Sequence, residues 1–378
     1  MLEHFGHEVI VFERRNADFS KLNVFEKISF FLRDITWSSR AYKAIKEIIR
    51  AKRPDVVHVH NIFFMISPSV YTACQEEGVP VVQTLHNYRF LCPVGTFFRK
   101  GSVCEDCLKF GKKAAILHRC WKNSFILTFL LVRILKTFER RADFLQMIGH
   151  FIVLSKFSRT KYTAHGFPKD RISVKANFID FDPGASREIG MYALYVGTLR
   201  DYKGIETLMQ AWRSLDHPIP LKIVGGGPLR NMVRSFSRIA NIESLGERPL
   251  NETMHVIKEA RFVIVPSECY ENFPRVLVEA FACGVPVIGS KIGAIEELIE
   301  HGHTGLLFKP GDVDELARAI KILLTDTELL VRMKERSRHE YEMKYSAKEN
   351  HDRLIEIYEK AIASVSARCV SSRLEVCA

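Results

Sequence analysis

The stretch Pro266-Ser-Glu-Cys-Tyr-Glu-Asn-Phe-Pro-Arg-Val-Leu-Val-Glu-Ala280 decides how this chain is read. Pro274 stands where a first helical residue would, since its missing N–H costs nothing there. Gly284 and Pro286 give the C-terminal stop. Glu271 therefore falls in the loop before the helix and Glu279 more than a turn inside it. From Val276 to Cys283 the residues run V-L-V-E-A-F-A-C, and Glu279 is the one polar side chain among them. A helix apolar on all sides is buried, and a buried carboxylate needs partners. The start of a helix also attracts anions, phosphate above all. Two carboxylates beside such a helix end suit a ligand with hydroxyls at both ends and phosphate in the middle. A sugar nucleotide is built that way.

Outward from this stretch, short Val/Ile-rich runs alternate with helical patterns. His7–Phe12, Asp55–His60, Val79–Leu85 and Phe151–Leu154 read as strands of one sheet. Ala193–Gly197, Leu221–Val224, Arg261–Val265 and Pro286–Ile288 read as strands of another. A helix is expected over Ser39–Lys52. Continuous apolar strands separated by helices indicate parallel sheets covered on both faces, hence an α/β chain of two doubly wound domains. The expected division is an N-terminal domain over 1–182, a C-terminal domain over 183–345, a helix over 346–366 and a disordered tail over 367–378. The opening Met-Leu-Glu-His-Phe-Gly-His-Glu-Val reads as a helix end running into a strand. A first strand and its glycine loop normally precede such a segment, so the N-terminal domain is expected to lack its first strand.

The 378 residues suffice for two cores. Nine cysteines without a signal peptide point to a reducing, cytoplasmic setting. The apolar run Phe125–Val132 is too short to span a bilayer. Net charge is +11, and the excess is all in one half: residues 1–182 hold 29 Lys+Arg against 17 Asp+Glu, residues 183–378 hold 26 against 27. Residues 99–141 alone carry 11 basic against 3 acidic side chains. Such a half suits an anionic partner, an anionic membrane face or a phosphate-bearing acceptor; a solvated basic face is the plainer reading. No nucleic-acid-binding motif accompanies the charge.

Three further motifs complete the pattern: Val196-Gly-Thr-Leu-Arg-Asp-Tyr-Lys-Gly204, Val224-Gly-Gly-Gly-Pro-Leu229, and the pair His58-Val-His-Asn61 with Thr84-Leu-His-Asn-Tyr-Arg89. With the Glu-x7-Glu stretch they make the chain resemble the family 4 glycosyltransferases, retaining enzymes of GT-B fold. The resemblance implies two Rossmann-like domains facing a cleft, acceptor on the N-terminal side and nucleotide-sugar donor on the C-terminal side. It implies catalytic roles for His86, Lys203 and Glu271. It implies a donor site of Gly197, Thr198, Arg200, Lys203, Gly225, Gly227, Glu271, Asn272, Phe273, Arg275 and Glu279. Glu279 would take the ribose hydroxyls, Glu271 the transferred sugar, and Lys203 the diphosphate. The backbone N–H groups of Asn272, Phe273 and Arg275 would meet the sugar or diphosphate. Thr198 departs from the family, which has an arginine there; Arg200 is the nearest substitute. For each member an ordinary alternative exists: an internal salt bridge for Glu279, a plain turn for the glycines, solvated charge for Lys203 and Arg200. No catalytic metal is expected, and His58 and His60 read as packing and strand-end hydrogen bonding.

Cys92, Cys104, Cys107 and Cys120 follow the spacing C-x11-C-x2-C-x12-C inside a basic insertion over about 92–122. That spacing suits a closed structural zinc site as well as free thiols. The segment Trp121–Phe138 next to it reads either as a core helix or as an apolar helix with basic flanks at a membrane surface. The leading expectation is a glycosyltransferase acting on a glycan or polyprenyl-linked acceptor in polysaccharide or glycoconjugate synthesis, cytoplasmic and peripheral to the membrane. The alternatives are an inactive sugar-nucleotide-binding protein or another GT-B enzyme such as a nucleotide-sugar epimerase.

Overall fold

The computed structural model describes residues 1–14, 23, 36–62, 66–141, 144–216, 219–236 and 241–375. Among the described residues, twelve strands are numbered in chain order. The first sheet holds β1 (Val57–Val59), β2 (Val81–Thr84), β5 (His150–Val153) and β6 (Ile172–Val174) in that spatial order, all parallel. Between β2 and β5 lies a small antiparallel pair, β3 (Phe98–Arg99) and β4 (Ser102–Val103). The second sheet holds β7 (Ala193–Val196), β8 (Leu221–Val224), β9 (Ile242–Gly246), β10 (Phe262–Val265), β11 (Val287–Ser290) and β12 (Gly305–Phe308). Its spatial order is β12-β11-β10-β7-β8-β9, again all parallel.

Strand alternation divides the cores. In the first sheet Val81, Phe151 and Val153 face the helices Ser39–Lys52, Ser69–Glu76 and Lys156–Thr163 through Ile45, Tyr71 and Tyr162. Val82 and Ile152 point the other way and meet Leu354, Ile357, Tyr358 and Ala361 of the last helix. In the second sheet Leu194, Val263 and Val287 pack on the helices Leu250–Lys258 and Arg275–Ala282, while Ala193, Ile264 and Ile288 pack on Ile205–Arg213 and Val313–Thr325. The central strands β7 and β10 are covered on both faces, which is why they are continuous apolar runs. Side chains close the helix starts: Ser38 accepts from the Ala41 N–H at 3.2 Å, Ser155 from Ser158 at 3.0 Å, and Asp312 from Glu315 at 2.9 Å.

Four expectations need correction. His7–Phe12 is not a strand: no neighbour among the described residues pairs with it and Val11 is 76% exposed. An apolar run becomes a strand only where a ladder partner lies alongside. Pro274 is the N-cap, with extended ψ of 105°, and the helix begins at Arg275. The last helix runs Ala347–Glu375, so the segment from 367 to 375 is helical rather than disordered; no glycine or proline interrupts it. The remainder of the expected tail, 376–378, lies outside the described residues. Finally, the helix Phe125–Arg141 is neither a plain core helix nor free of the core. Thr128, Leu131, Val132 and Leu135 are buried at helical spacing, whereas Phe125, Ile126, Leu127, Phe129 and Leu130 are exposed. No helix among the described residues is long and apolar enough to cross a membrane.

Candidate functional site at the switch point of the second sheet

The order of the second sheet reverses between β7 and β10, because β7, β8 and β9 run outward on one side and β10, β11 and β12 on the other. At such a point the loops leaving adjacent strands part, and the crevice beyond their carboxyl ends is where open α/β sheets bind ligands. The two loops here are 197–204 after β7 and 266–274 after β10. They carry Lys203 and Glu271, and the Lys203 Nζ forms an ion pair with Glu271 Oε1 across the switch point. Ser267 Oγ donates to the same oxygen at 2.7 Å. Burial alone would lower the Lys203 ammonium, but the Glu271 charge and hydrogen bond outweigh it and hold the pKa above its ordinary value.

Close loop packing depends on glycines. Gly204 has a φ of +66°, and a Cβ there would stand 1.8 Å from the Pro266 carbonyl oxygen. A Cβ on Gly225 would stand 1.9 Å from the Gly197 oxygen, and one on Gly227 2.6 Å from the Leu199 oxygen. The glycine loop after β8 is thus pressed against the loop after β7, and the Leu199 N–H donates to Gly226 at 2.9 Å. What Gly225 and Gly227 visibly admit is neighbouring backbone. Thr198 and Arg200 are exposed on this platform, and Arg200 pairs with no acid among the described residues.

Glu279 is 7% exposed. Its ion-pair partner is Arg275, one turn back and itself exposed, at 3.6 Å. Burial pushes the Glu279 carboxyl above its ordinary pKa, and Arg275 draws it back only in part. A nearly buried carboxylate with one long contact has acceptor capacity left over. Close by, the backbone N–H groups of Asn272, Phe273 and Arg275 have no acceptor within the described chain. Donors and acceptors are therefore both free at this helix start. The Phe273 side chain is buried in the core beside Tyr345.

The first sheet reaches the same loop. Tyr88 Oη donates to the Glu271 carbonyl at 3.3 Å, Asn272 Nδ2 to the Leu85 carbonyl at 2.9 Å, and Ser158 Oγ to Asn272 Oδ1 at 2.8 Å. Glu297 accepts from the Lys156 and Phe157 N–H groups, each at 2.8 Å, so a carboxylate of the C-terminal domain sits on a helix start of the N-terminal one. His86 follows β2 at this seam. His60 Nδ1 and His86 Nε2 are 2.7 Å apart, and the rings of His58, His60 and His86 stack in a row at 4.3 and 5.0 Å. His58 is held at 2.7 Å by both Thr84 and Tyr358. Burial, helped by the neighbouring histidine and Lys175, brings His86 down to about 4, so it is neutral near pH 7.

The structure thus pairs Lys203 with Glu271 and sets the N–H groups of Asn272, Phe273 and Arg275 in the same loop and helix start, with Glu279 one turn further along the helix and His86 on the facing domain. Sequence reasoning missed Ser267, the tying side chain of Asn272, Glu297, and the role of His60 as the hydrogen-bond partner of His86. His60 carried a signal, two residues from His58 on one strand; Tyr358, three hundred positions away, carried none. No disulfide joins the four cysteines of the insertion.

Comparison with known proteins agrees with this geometry. The family model for Glycosyltransferase Family 4 matches residues 1–183, and that for Glycosyl transferases group 1 matches residues 179–340. An uncharacterized glycosyltransferase of Methanocaldococcus jannaschii is 24% identical over 83% of this chain and 78% of its own length. The D-inositol 3-phosphate glycosyltransferase of Corynebacterium glutamicum is 31% identical over 52% of this chain, which is 53% of that protein. This chain accordingly spans about half of that relative's length. Among solved structures, HepE of Anabaena in complex with UDP superposes with a TM-score of 0.62 at 18% identity, covering 84% of this chain and 80% of that one. A glycosyltransferase of Rickettsia africae gives 0.64 at 16% identity over 96% and 86%. Two domains built on parallel sheets, matched over residues 1–340 by the two family models, make this chain a family 4 glycosyltransferase of GT-B fold.

Proposed function

We propose that the chain transfers a sugar, with retention of anomeric configuration, from a nucleotide-sugar donor to a hydroxyl of a glycan or polyprenyl-linked acceptor. The observation that carries this is the Lys203–Glu271 pair at the switch point, beside three N–H groups without acceptors and the under-partnered Glu279. Donor entry exchanges the ion pair for ligand contacts. Lys203 and the N–H groups of Asn272, Phe273 and Arg275 turn to the diphosphate, Glu271 to the sugar hydroxyls and Glu279 to the ribose diol. In the reaction the bond from C1 to the donor phosphate oxygen breaks and its electron pair stays on the diphosphate. The acceptor oxygen bonds C1 from the same face and gives its proton to that phosphate oxygen. Lys203 offsets the growing charge, and neutral His86 orients sugar or acceptor from the opposite domain. That HepE has been solved with UDP and with UDP-glucose supports a nucleotide sugar as donor.

The membrane part of the reading rests on the exposed face of helix Phe125–Arg141, where five large apolar side chains lie between the exposed Lys122 and Arg133. Such a face suits the anionic cytoplasmic leaflet and a lipid-linked acceptor held there.

Screening UDP-, GDP- and ADP-sugars by thermal shift tests the donor site. A ligand at one hundred times its Kd stabilises the fold by about 2.7 kcal/mol. Turnover with the stabilising donor, and NMR of the product anomer, then tests transfer and retention. If no nucleotide sugar shifts the melting curve and none is hydrolysed or transferred, the reading fails.

A further inference from the structure

Beyond the carboxyl ends of β1 and β2 lies a cavity of about 40 Å³, outside the donor loops. A buried water needs about 10–15 Å³, so the space takes about three waters or one compact polyatomic group. Residues 60–62, 83–87, 89 and 90 line it, together with Leu135 of helix Phe125–Arg141. It adjoins the donor loop: Asn272 Nδ2 donates at 2.9 Å to the carbonyl of Leu85, a wall residue, and His86 is the next residue of that wall.

Much of the polar wall is already engaged within the chain. Gln83 accepts from Tyr71 Oη and gives its Nε2 to the carbonyls of His60 at 2.6 Å and Thr84 at 2.7 Å. Thr84 Oγ1 holds His58, and His60 meets His86, each at 2.7 Å. Charge is distributed one-sidedly. Among the described lining residues there is no Asp, Glu or Lys, and Arg89 is the one group of fixed charge. A guanidinium stays protonated in proteins, and its planar fork matches a carboxylate or a phosphate. The Arg89 Cζ lies 5.9 Å from the centre of the Trp121 ring, a contact that suits a cation. Burial draws the Arg89 pKa down, and an anion in the cavity would draw it back. Asn87 adds a side-chain amide to the wall. Its Oδ1 accepts from the Arg89 N–H at 3.0 Å, which leaves Nδ2 to donate.

We propose, on the transfer reading above, that the acceptor carries an oxyanion, a phosphate or a carboxylate, and that this cavity holds it on Arg89. Arg89 then selects among acceptors, since a neutral glycan leaves the guanidinium without that contact. The anion also sets where the rest of the acceptor lies. Held beside His86 and the loop that contains Asn272, it directs the accepting hydroxyl toward the sugar assigned to Glu271.

The test follows the ring resonances of His60 and His86 by NMR while inorganic phosphate, or acetate in a second arm, is added to the full chain at constant ionic strength. The expected result is a saturating shift, about tenfold weaker in Arg89→Gln and partly restored in Arg89→Lys. Asn61→Asp, at an exposed lining position, should weaken it as well by placing a carboxylate at the cavity, and it serves where Arg89→Gln does not fold. A response to phosphate marks a phosphate-bearing acceptor, and a response to acetate a carboxylate-bearing one. No shift with either anion overturns the proposal, and so does an equal shift in folded Arg89→Gln or in Asn61→Asp. Donor binding is read separately, by the thermal shift with nucleotide sugars, and should be the same in Arg89→Gln. A chain that shows the donor shift without an Arg89-dependent anion response overturns the anionic acceptor alone. A chain that shows no donor shift overturns the acceptor role together with the transfer reading.

Discussion

At the scale of single residues, two carboxylates in one helix region have different work. Glu271 is paired to Lys203, while Glu279 is nearly buried and raised in pKa. Glu271→Gln keeps the shape and removes the charge, so kcat/KM should fall by about 10²–10³ with the affinity for free nucleotide little changed. With the proposed ribose contact, Glu279→Gln should instead raise the donor KM by roughly tenfold and leave kcat near normal, because such a contact is the same in ground and transition states. Steady-state kinetics on the two variants separates the roles. The histidine row sets a pH dependence. His58, His60 and His86 are all lowered, chiefly by burial. Below the ordinary value of about 6.5 the unfolded chain takes up protons that the folded chain refuses. Their contribution to stability is therefore full above about pH 6.5 and lost as pH falls toward 4, where His86 charges. The melting temperature should drop between pH 7 and pH 4.5, and drop less in His60→Asn/His86→Asn.

At the scale of elements, the turn glycines are unequal. Gly204 is the N-cap of helix Ile205–Arg213, and its missing Cβ admits the Pro266 carbonyl. Gly302 has a similar φ of +81° but open space around it. Gly302→Ala should cost about 1 kcal/mol from backbone strain. Gly204→Ala should cost roughly 3 kcal/mol or more, since two backbone segments must also part, and urea denaturation compares them. Element reading from sequence worked at Leu221–Val224 and Ser39–Lys52, which stand as read. It missed β6, β9 and β12. Ile172–Val174 is three residues long, Ile242–Gly246 carries Glu243 and Ser244, and Gly305–Phe308 opens on a glycine. Each is a strand because a parallel neighbour lies alongside it, not because its own residues demand it.

At the scale of the molecule, the last helix joins the two domains. It starts after the C-terminal domain and covers the outer face of the first sheet with Leu354, Ile357, Tyr358 and Ala361. Lys175 Nζ donates to Asn350 at 2.8 Å and Tyr358 holds His58 at 2.7 Å, so the helix also fixes the histidine row from behind. Ile357→Ala should destabilise by about 2–5 kcal/mol, with the loss seen first in probes of the N-terminal domain. Binding to vesicles of anionic lipid is expected through helix Phe125–Arg141, and Phe129→Ser/Leu130→Ser, both on the exposed side, should weaken it at unchanged melting temperature. Equal binding by that variant removes this face from the membrane reading.

What the sequence determined by itself was the pair of parallel sheets and the place of Glu271 in a loop and Glu279 inside the helix that follows. Those rest on local signals: apolar strands, a capped helix, and Glu271 and Glu279 at a spacing that one helix start explains. What only the tertiary structure decided was which distant groups meet. Lys203 finds Glu271 because β7 and β10 are neighbours at the reversal of strand order. Gly225 and Gly227 turn out to admit backbone, and His86 gains His60 across β1 and β2. Such contacts depend on sheet order and loop packing, which emerge only when the whole chain has buried its apolar faces.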